Sequence, residues 1–358
     1  MLDDLDRQIA AALIRNGRAP WRLIAEVLGQ QERTVARRGN RLLASGEVRV
    51  QSFPSPAALA PVDLYMLRVA AAPSAVSMVG SWLAEQPNTH WISALSGASE
   101  CIVELYLEQD AVGRFLYDEL AALDGVRDLS LEPIFEYYRT VSGWRPDVLT
   151  AEQYEALSPS ELPHFATRYA ELGKSRLDEP NRVFAELLRA NGRITIEELA
   201  AGLGVSKATA SRRLESLIAD GAVYLRAVLD PASIGYPVEG LLTVRAGAPA
   251  LDSAGRYIAD LPATRWAANV SGRILVQTAT RSLAELRAVM EGIGAQPGVT
   301  GVDLSLFARI FKRSTVAYRD GKLPPIGEEE GKGTESRADL HPAGLMASNG
   351  RKHRRRAT

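Results

Sequence analysis

The 358 residues predict an α+β fold in which one two-part unit occurs twice. Three observations carry that expectation. First, Leu2 to Val48 realigns without a gap on Leu177 to Val223, about 175 residues later, with roughly 18 of about 47 positions identical. Second, each copy opens with three short apolar patterns at helical spacing, punctuated by glycines. Third, each copy then changes to the order strand, helix, strand, strand, helix, strand. Together they predict two winged helix-turn-helix domains alternating with two ferredoxin-like βαββαβ domains. The expected boundaries are 1–53 and 177–230 for the helical domains, 60–140 and 236–320 for the ferredoxin-like domains. A connector spans 141–176, and a disordered tail with a basic end spans 324–358.

The second copy shows the helical plan most clearly. Val183, Phe184, Leu187 and Leu188 share one face of a first helix. Asn191-Gly192 reads as its C-cap, a pair that tolerates positive φ. Thr195 with Glu198 forms a capping box for a second helix, which stops at Gly204. Ser206 caps a third helix bearing Ala210, Leu214, Leu217 and Ile218 on its apolar face, and Gly221 stops it. Ala222 to Leu229 is extended and reads as a small β-wing. The first copy repeats the plan with weaker caps: Pro20 replaces Thr195 and Gln31 replaces Ser206.

In the first ferredoxin-like domain, strands are expected at Val62–Val69, Trp91–Leu95, Cys101–Leu107 and Val126–Phe135, with helices at Ser74–Gln86 and Ala111–Leu123. The copy places strands at Glu239–Val244, Trp266–Val270, Ile274–Thr278 and Val299–Phe307, and helices at Leu251–Leu261 and Ser282–Ile293. Pro87, Trp91, Ser96 and Gly97 return as Pro262, Trp266, Ser271 and Gly272. Such a sheet has helices on one face only, and the sister sheet is the simplest cover for the other. The connector carries Pro146, Pro159 and Pro163 and a short helix at Thr150–Leu157. The tail ends in Arg351-Lys352-His353-Arg354-Arg355-Arg356, a run that suits either non-specific nucleic-acid contact or solubility.

Composition narrows the function. A single cysteine, Cys101, excludes an intrachain disulfide framework and a multi-cysteine zinc site, and fits a reducing cytoplasm. No signal peptide is expected, because Met1 leads into Asp3, Asp4 and Asp6, and no apolar run approaches the length needed to span a membrane. The net charge of −1 conceals an uneven distribution. Nine arginines face six acids from Leu2 to Val50, about +3, whereas Leu177 to Arg226 balances near zero. No nucleophilic triad, phosphate loop or metal-ligand spacing is present in the sequence, and no cofactor, metal or catalytic residue is expected.

A third helix of this kind enters the DNA major groove with its N-terminal half nearest the bases. Candidate contacts in the first unit are Arg33, Thr34, Arg37, Arg38 and Arg41. Arg33, Arg37 and Arg41 lie four apart and share a face. Guanidinium groups grip phosphates or the edge of guanine with two prongs. In the second unit the candidates are Ser206, Lys207, Thr209, Ser211, Arg212 and Arg213. A charged face is equally what a solvated three-helix bundle presents; the punctuation and its repetition favour DNA.

With these residues laid out, the chain resembles the Lrp/AsnC family of prokaryotic transcription factors. The match is strongest from Ile196 to Val223, through Leu199, Gly204, Ser206, Arg212, Arg213 and Gly221, and extends from Leu2 to about Tyr318. The resemblance implies double-stranded DNA as partner and a small-molecule effector such as an amino acid. It also implies regulatory sheets that pair, here as an intramolecular pseudo-dimer able to assemble into homo-oligomers. In that family a glycine, followed three residues later by an acid, borders the effector pocket. Gly97, Ala98, Ser99 and Glu100 fit this pattern. Ser271, Gly272 and Arg273 are the shorter copy, without the acid. Read without the resemblance, both are ordinary hairpin turns.

Two other readings are compatible with the layout. Siroheme decarboxylases resemble it, pairing the same kinds of domain, sometimes in tandem. Of the four histidines, His164 lies in the connector and His341 and His353 in the tail. Only His90, beside Trp91, falls in a candidate pocket, and its counterpart is Arg265. An architectural DNA-binding protein without effector is the third reading, and the near-neutral charge weighs against general DNA coating.

Overall fold

The computed structural model describes residues 2–54, 62–97, 99–158, 178–319 and 322–324. Ala98, the connector from 159 to 176 and the tail beyond 324, with its basic end, lie outside the described residues.

The first helical domain comprises α1 (Asp4–Arg15), α2 (Trp21–Leu28) and α3 (Glu32–Ala44), followed by β1 (Val48–Pro54). Asp3 caps α1 by accepting from the Asp6 amide at 2.9 Å. Pro20 precedes α2 without a side-chain cap, and Gly29 ends that helix at φ +63°, a conformation glycine adopts without a Cβ penalty. The second domain repeats this as α7 (Glu179–Ala190), α8 (Ile196–Leu203), α9 (Lys207–Ala219) and β6 (Val223–Leu229). Here the capping box of Thr195 with Glu198 and the Ser206 cap both form. Ile9, Leu13, Ile24, Val35 and Leu42 fill the first core, and Phe184, Leu188, Leu199, Leu214 and Leu217 the second. The connector adds α6 (Ala151–Ala156), which places Tyr154 and Leu157 against the first core together with Trp144.

Asn16 and Asn191 end their helices in extended geometry, at φ −144° and −147°, not in the positive-φ cap expected of Asn-Gly. Their side chains instead accept from the amides of Arg18 (3.2 Å) and Arg193 (3.0 Å), closing an Asx turn. Gly192 is required for space: a Cβ there would stand 2.7 Å from the Gln51 amide nitrogen.

The strands expected as wings pair with each other. β1 and β6 form an antiparallel ladder running from Val48↔Leu229 to Pro54↔Val223, with Gln51↔Arg226 at its centre. In repeat register Gln51 and Arg226 are equivalent positions, so the centre of the ladder lies on a pseudo-two-fold axis. Two arginines confirm the symmetry by exchanging identical bonds. Arg18 donates to the carbonyls of Gly192 (2.7 Å) and Ile194 (3.0 Å), and Arg193 to those of Gly17 (2.6 Å) and Ala19 (3.0 Å).

The ferredoxin-like domains are β2 (Asp63–Ala71), α4 (Val76–Glu85), β3 (Thr89–Leu95), β4 (Glu100–Leu107), the π-helical α5 (Arg114–Leu120) and β5 (Val126–Arg139), then β7 (Val238–Ala246), α10 (Leu251–Asp260), β8 (Thr264–Val270), β9 (Arg273–Thr280), α11 (Leu283–Gly294) and β10 (Val299–Arg313). The strands form one ring, β10-β3-β4-β2-β5-β8-β9-β7, closed by β7 pairing with β10. β5 and β10 run past the expected ends at Phe135 and Phe307 because each serves two sheets. The first half of β5 pairs with β2 and the second half with β8; β10 does the same with β7 and then β3. Alternate residues point outward to the helices, as Val103 and Leu105 do, or inward, as Ile102 does. Inside the ring Trp91 and its repeat equivalent Trp266 meet edge-on, 6.0 Å apart, a contact worth about 0.5–1.5 kcal/mol beyond its burial.

Candidate nucleic-acid interface

The two third helices divide their expected contacts unequally. Arg33 and Arg37 are exposed on α3 and make no side-chain bond among the described residues. Arg38 and Arg41 are held at home. Arg38 donates to Asp3 Oδ2 (2.5 Å) and Asp6 Oδ1 (3.0 Å), and Arg41 to Asp6 Oδ2 (2.5 Å). The hydrogen bond from Arg38 holds the Asp3 carboxyl below its ordinary range. Asp6 is only 4% exposed, so its charge requires these partners. The pair thus fastens α3 to α1, and Thr34 beside it is half-buried.

On α9, Ser206 is occupied as the cap and its hydroxyl also meets that of Thr209 at 2.9 Å. Lys207 reaches Glu197 of α8 at 2.6 Å, and Ser211 donates to Glu215 at 2.9 Å. Arg212 is exposed and Arg213 half-buried, and neither has a side-chain bond among the described residues. The cations left for an external anion are therefore Arg33 and Arg37 on one helix and Arg212 and Arg213 on the other. In repeat register only Arg37 and Arg212 are equivalent; Arg33 answers to Ala208, and Arg213 to the tethered Arg38.

The hairpin turns of the ferredoxin-like domains take the positive-φ geometry of tight hairpins, with Gly97 at +91° and Ser99 at +49°, and Ser271 at +48° and Gly272 at +84°. They lie at opposite seams of the ring. Ser96 exchanges backbone and hydroxyl bonds with Leu306, while the Ser271 amide donates to Pro133. Glu100 accepts from Arg68 at 2.8 Å, and Arg273 pairs with Glu132. The charged groups of both turns are thus spent on neighbouring strands.

Between the ladder and the ring lies a layer of buried charge that the sequence indicated only through His90. Arg226, at the centre of the ladder, packs over the Phe53 ring and contacts His90 Nε2 at 3.3 Å. Burial, with Arg226 and Lys312 alongside, pushes His90 down to about 3, so the ring is neutral and its Nε2 accepts. Burial also lowers Arg226 to about 10 and raises Glu104, whose Oε1 takes the Tyr137 hydroxyl at 2.5 Å. On the other side of the axis Glu239 receives both Arg265 and Arg313, each at 2.9 Å. Burial works against the Glu239 carboxylate, and the two guanidinium groups overcome it, holding it below its ordinary range. A signal did exist for part of this arrangement: Asn16-Gly17-Arg18 recurs intact as Asn191-Gly192-Arg193, the segment that forms the reciprocal clasp.

An AsnC-type helix-turn-helix domain matches residues 2–43, and a winged helix-turn-helix DNA-binding domain matches residues 186–224. The chain thus carries two helix-turn-helix domains, the first of AsnC type. Among curated relatives, an uncharacterised HTH-type transcriptional regulator of Pyrococcus abyssi is 26% identical over 149 residues, 40% of this chain and 94% of the relative. The HTH-type transcriptional regulator FL11 of Pyrococcus horikoshii is 23% identical over 142 residues, 39% of this chain and 94% of its own length. Each spans about one unit of the chain, which carries two. Among solved structures, the siroheme decarboxylase NirDL covers 88% of this chain and 94% of its own at a TM-score of 0.57 and 13% identity, a likeness of fold. No helix among the described residues is long and apolar enough to cross a membrane.

Proposed function

We propose that the chain is a sequence-specific DNA-binding transcriptional regulator that engages two half-sites with one polypeptide and responds to a small molecule. The observation that carries this is the fastening of two helix-turn-helix domains across a pseudo-two-fold axis by the β1–β6 ladder and the Arg18/Arg193 exchange. Two third helices mounted in this way suit half-sites about one helical turn, or a multiple, apart. Arg33, Arg37, Arg212 and Arg213 supply the cations. A homodimer must assemble before it can present such a pair, whereas this chain presents it as a monomer; its regulatory ring leaves outer faces through which copies can assemble further.

Fluorescence anisotropy on the DNA upstream of the chain's own gene tests this reading. Binding that survives an excess of unrelated DNA and weakens steeply with salt is expected. Equal competition by any DNA would reduce the pair to an architectural role.

The decarboxylase reading draws on the fold likeness to NirDL and on the buried arginine and histidine layer. The layer's own geometry opposes it. Arg265 and Arg313 are already bound to Glu239, and the cavity beside them holds about 10 Å³, against several hundred for a cofactor-sized ligand. An unchanged visible spectrum on mixing the chain with iron-uroporphyrin III is the expected result; a shifted Soret band would favour the enzyme.

A further inference from the structure

A cleft of about 320 Å³ opens where the first DNA-binding domain meets the second ferredoxin-like domain, within the size range of small-ligand sites. Its walls come from different parts of the chain. α1 supplies Arg7 and Gln8, the connector Asp147, the turn after β6 Gly235 and Tyr236, and the β9–α11 corner Arg281.

The wall chemistry is specific. The side-chain hydrogen bonds of Arg281 all run through Nη2, to the Asp147 carbonyl (2.9 Å), Asp147 Oδ2 (3.1 Å) and Tyr236 Oη (3.2 Å). Its Nε and Nη1 have no hydrogen-bond partner among the described residues. The guanidinium also stacks over the buried Tyr236 ring at 5.3 Å, and Trp144 fixes that ring edge-on at 5.7 Å. Opposite, Arg7 uses Nε for the Leu2 carbonyl and holds Nη1 3.6 Å from Asp4. Gly235, at φ +100°, keeps that corner free of a side chain: a Cβ would stand 3.9 Å from Arg7 Nη1. Two guanidinium groups with spare donors thus face two carboxylates, and the lining charge is balanced.

The duplicated half repeats only the α1 pair, Asp4 and Arg7 answering to Glu179 and Arg182. In repeat register Tyr236 answers to Pro61, Arg281 to Glu108 and Gln8 to Val183. The cleft chemistry is a property of one side of the pseudo-dimer.

We propose that this cleft binds a small zwitterion of the α-amino acid class and thereby sets how the helix-turn-helix pair rests on the ring. Arg281 and Arg7 grip the carboxylate, and Asp147 and Asp4 take the ammonium group. This rests on the regulator reading above and moves the effector away from the hairpin turns at the seams of the ring. A ligand held by α1 on one wall and Arg281 on the other favours whichever domain arrangement brings those walls together.

Calorimetry on the full chain without DNA tests the site, first with an equimolar mixture of the twenty amino acids, then with each singly. The expected result is saturable binding that weakens about tenfold or more in Arg281→Ala, from loss of charge-assisted bonds, and in Gln8→Phe, which fills the cleft. Arg68→Ala, which removes the β2 partner of Glu100 at the hairpin turn, should bind normally. Arg281→Lys, which keeps the charge, should recover part of the loss and separates a binding defect from a folding defect. No binding by any amino acid at millimolar concentration would overturn the site. Binding that is lost in Arg68→Ala and kept in both cleft variants would overturn it as well. Anisotropy on DNA, with and without the identified amino acid, tests the coupling, and an unchanged affinity overturns that part. Ligand binding with no DNA binding under any condition would sink the regulator reading and leave the cleft standing; DNA binding without ligand binding would do the reverse.

Discussion

Asp6 shows how one buried carboxylate can decide which arginines remain available. It takes both Arg38 and Arg41, so two of the four arginines on α3 hold the domain together, and Arg33 and Arg37 are left exposed. Replacing Arg33 and Arg37 with alanine should lower the salt slope of DNA binding by about 2 and leave the urea midpoint unchanged. Arg38→Ala with Arg41→Ala should instead lower the urea midpoint, because the buried Asp6 charge loses its partners. At the same scale His90 predicts an acid sensitivity. Its folded value of about 3 lies below the ordinary 6.5, so the unfolded chain binds the extra proton between them. Its contribution to stability is complete above about pH 6.5 and is lost as pH falls toward 3, at up to about 1.4 kcal/mol per pH unit. Glu104 has the opposite sign, since burial raises it and its contribution is lost as pH rises. Comparing His90→Gln with the parent across pH 4–7 isolates the histidine; parallel stability curves would refute the assignment. His90 was visible in the sequence as the single pocket histidine. Arg226, its partner, was not, because the two are 136 positions apart and meet only after the ladder forms.

At the scale of elements, helix ends were legible and strand partners were not. Thr195, Ser206, Gly29 and Gly204 act within a turn of their own position, so sequence spacing reveals them. The partner of β1 is set by packing of residues far apart in the chain, and nothing local distinguishes a wing from half of a ladder. The long β5 and β10 were underestimated for the same reason: beyond Phe135 and Phe307 each leaves its own sheet for the sister sheet. Asn-Gly suggests a φ requirement, but Gly192 answers to the backbone of β1 packed against it. The ladder yields its own prediction. Arg18→Ala and Arg193→Ala each remove two hydrogen bonds to carbonyls of the other unit and should each cost about 1.5–3 kcal/mol. Loosening the clasp should also let the chain accept DNA half-sites at altered spacing. An unchanged spacing preference in the double variant would show that the ladder alone fixes the pair.

For the whole molecule, the tandem plan, the domain order and the pairing of the regulatory sheets could be read from the repeat, because duplication makes a chain supply its own partner. What the repeat could not show is where its two halves differ. The axis position is Gln51 in one unit and Arg226 in the other, and the reading helices present Arg33 and Arg37 on one side and Arg212 and Arg213 on the other. A dimer of identical subunits sits equally well either way round on a palindrome, so it cannot distinguish the two directions along DNA. This chain has a front and a back. Its best site should therefore be non-palindromic, and inverting one half-site should weaken binding more than inverting the entire site within its flanks. A cleavage reagent tethered at one reading helix should cut at one end of the footprint only. Duplication followed by divergence would then have given this fold an arrow, and with it a means of marking which of two flanking genes lies ahead.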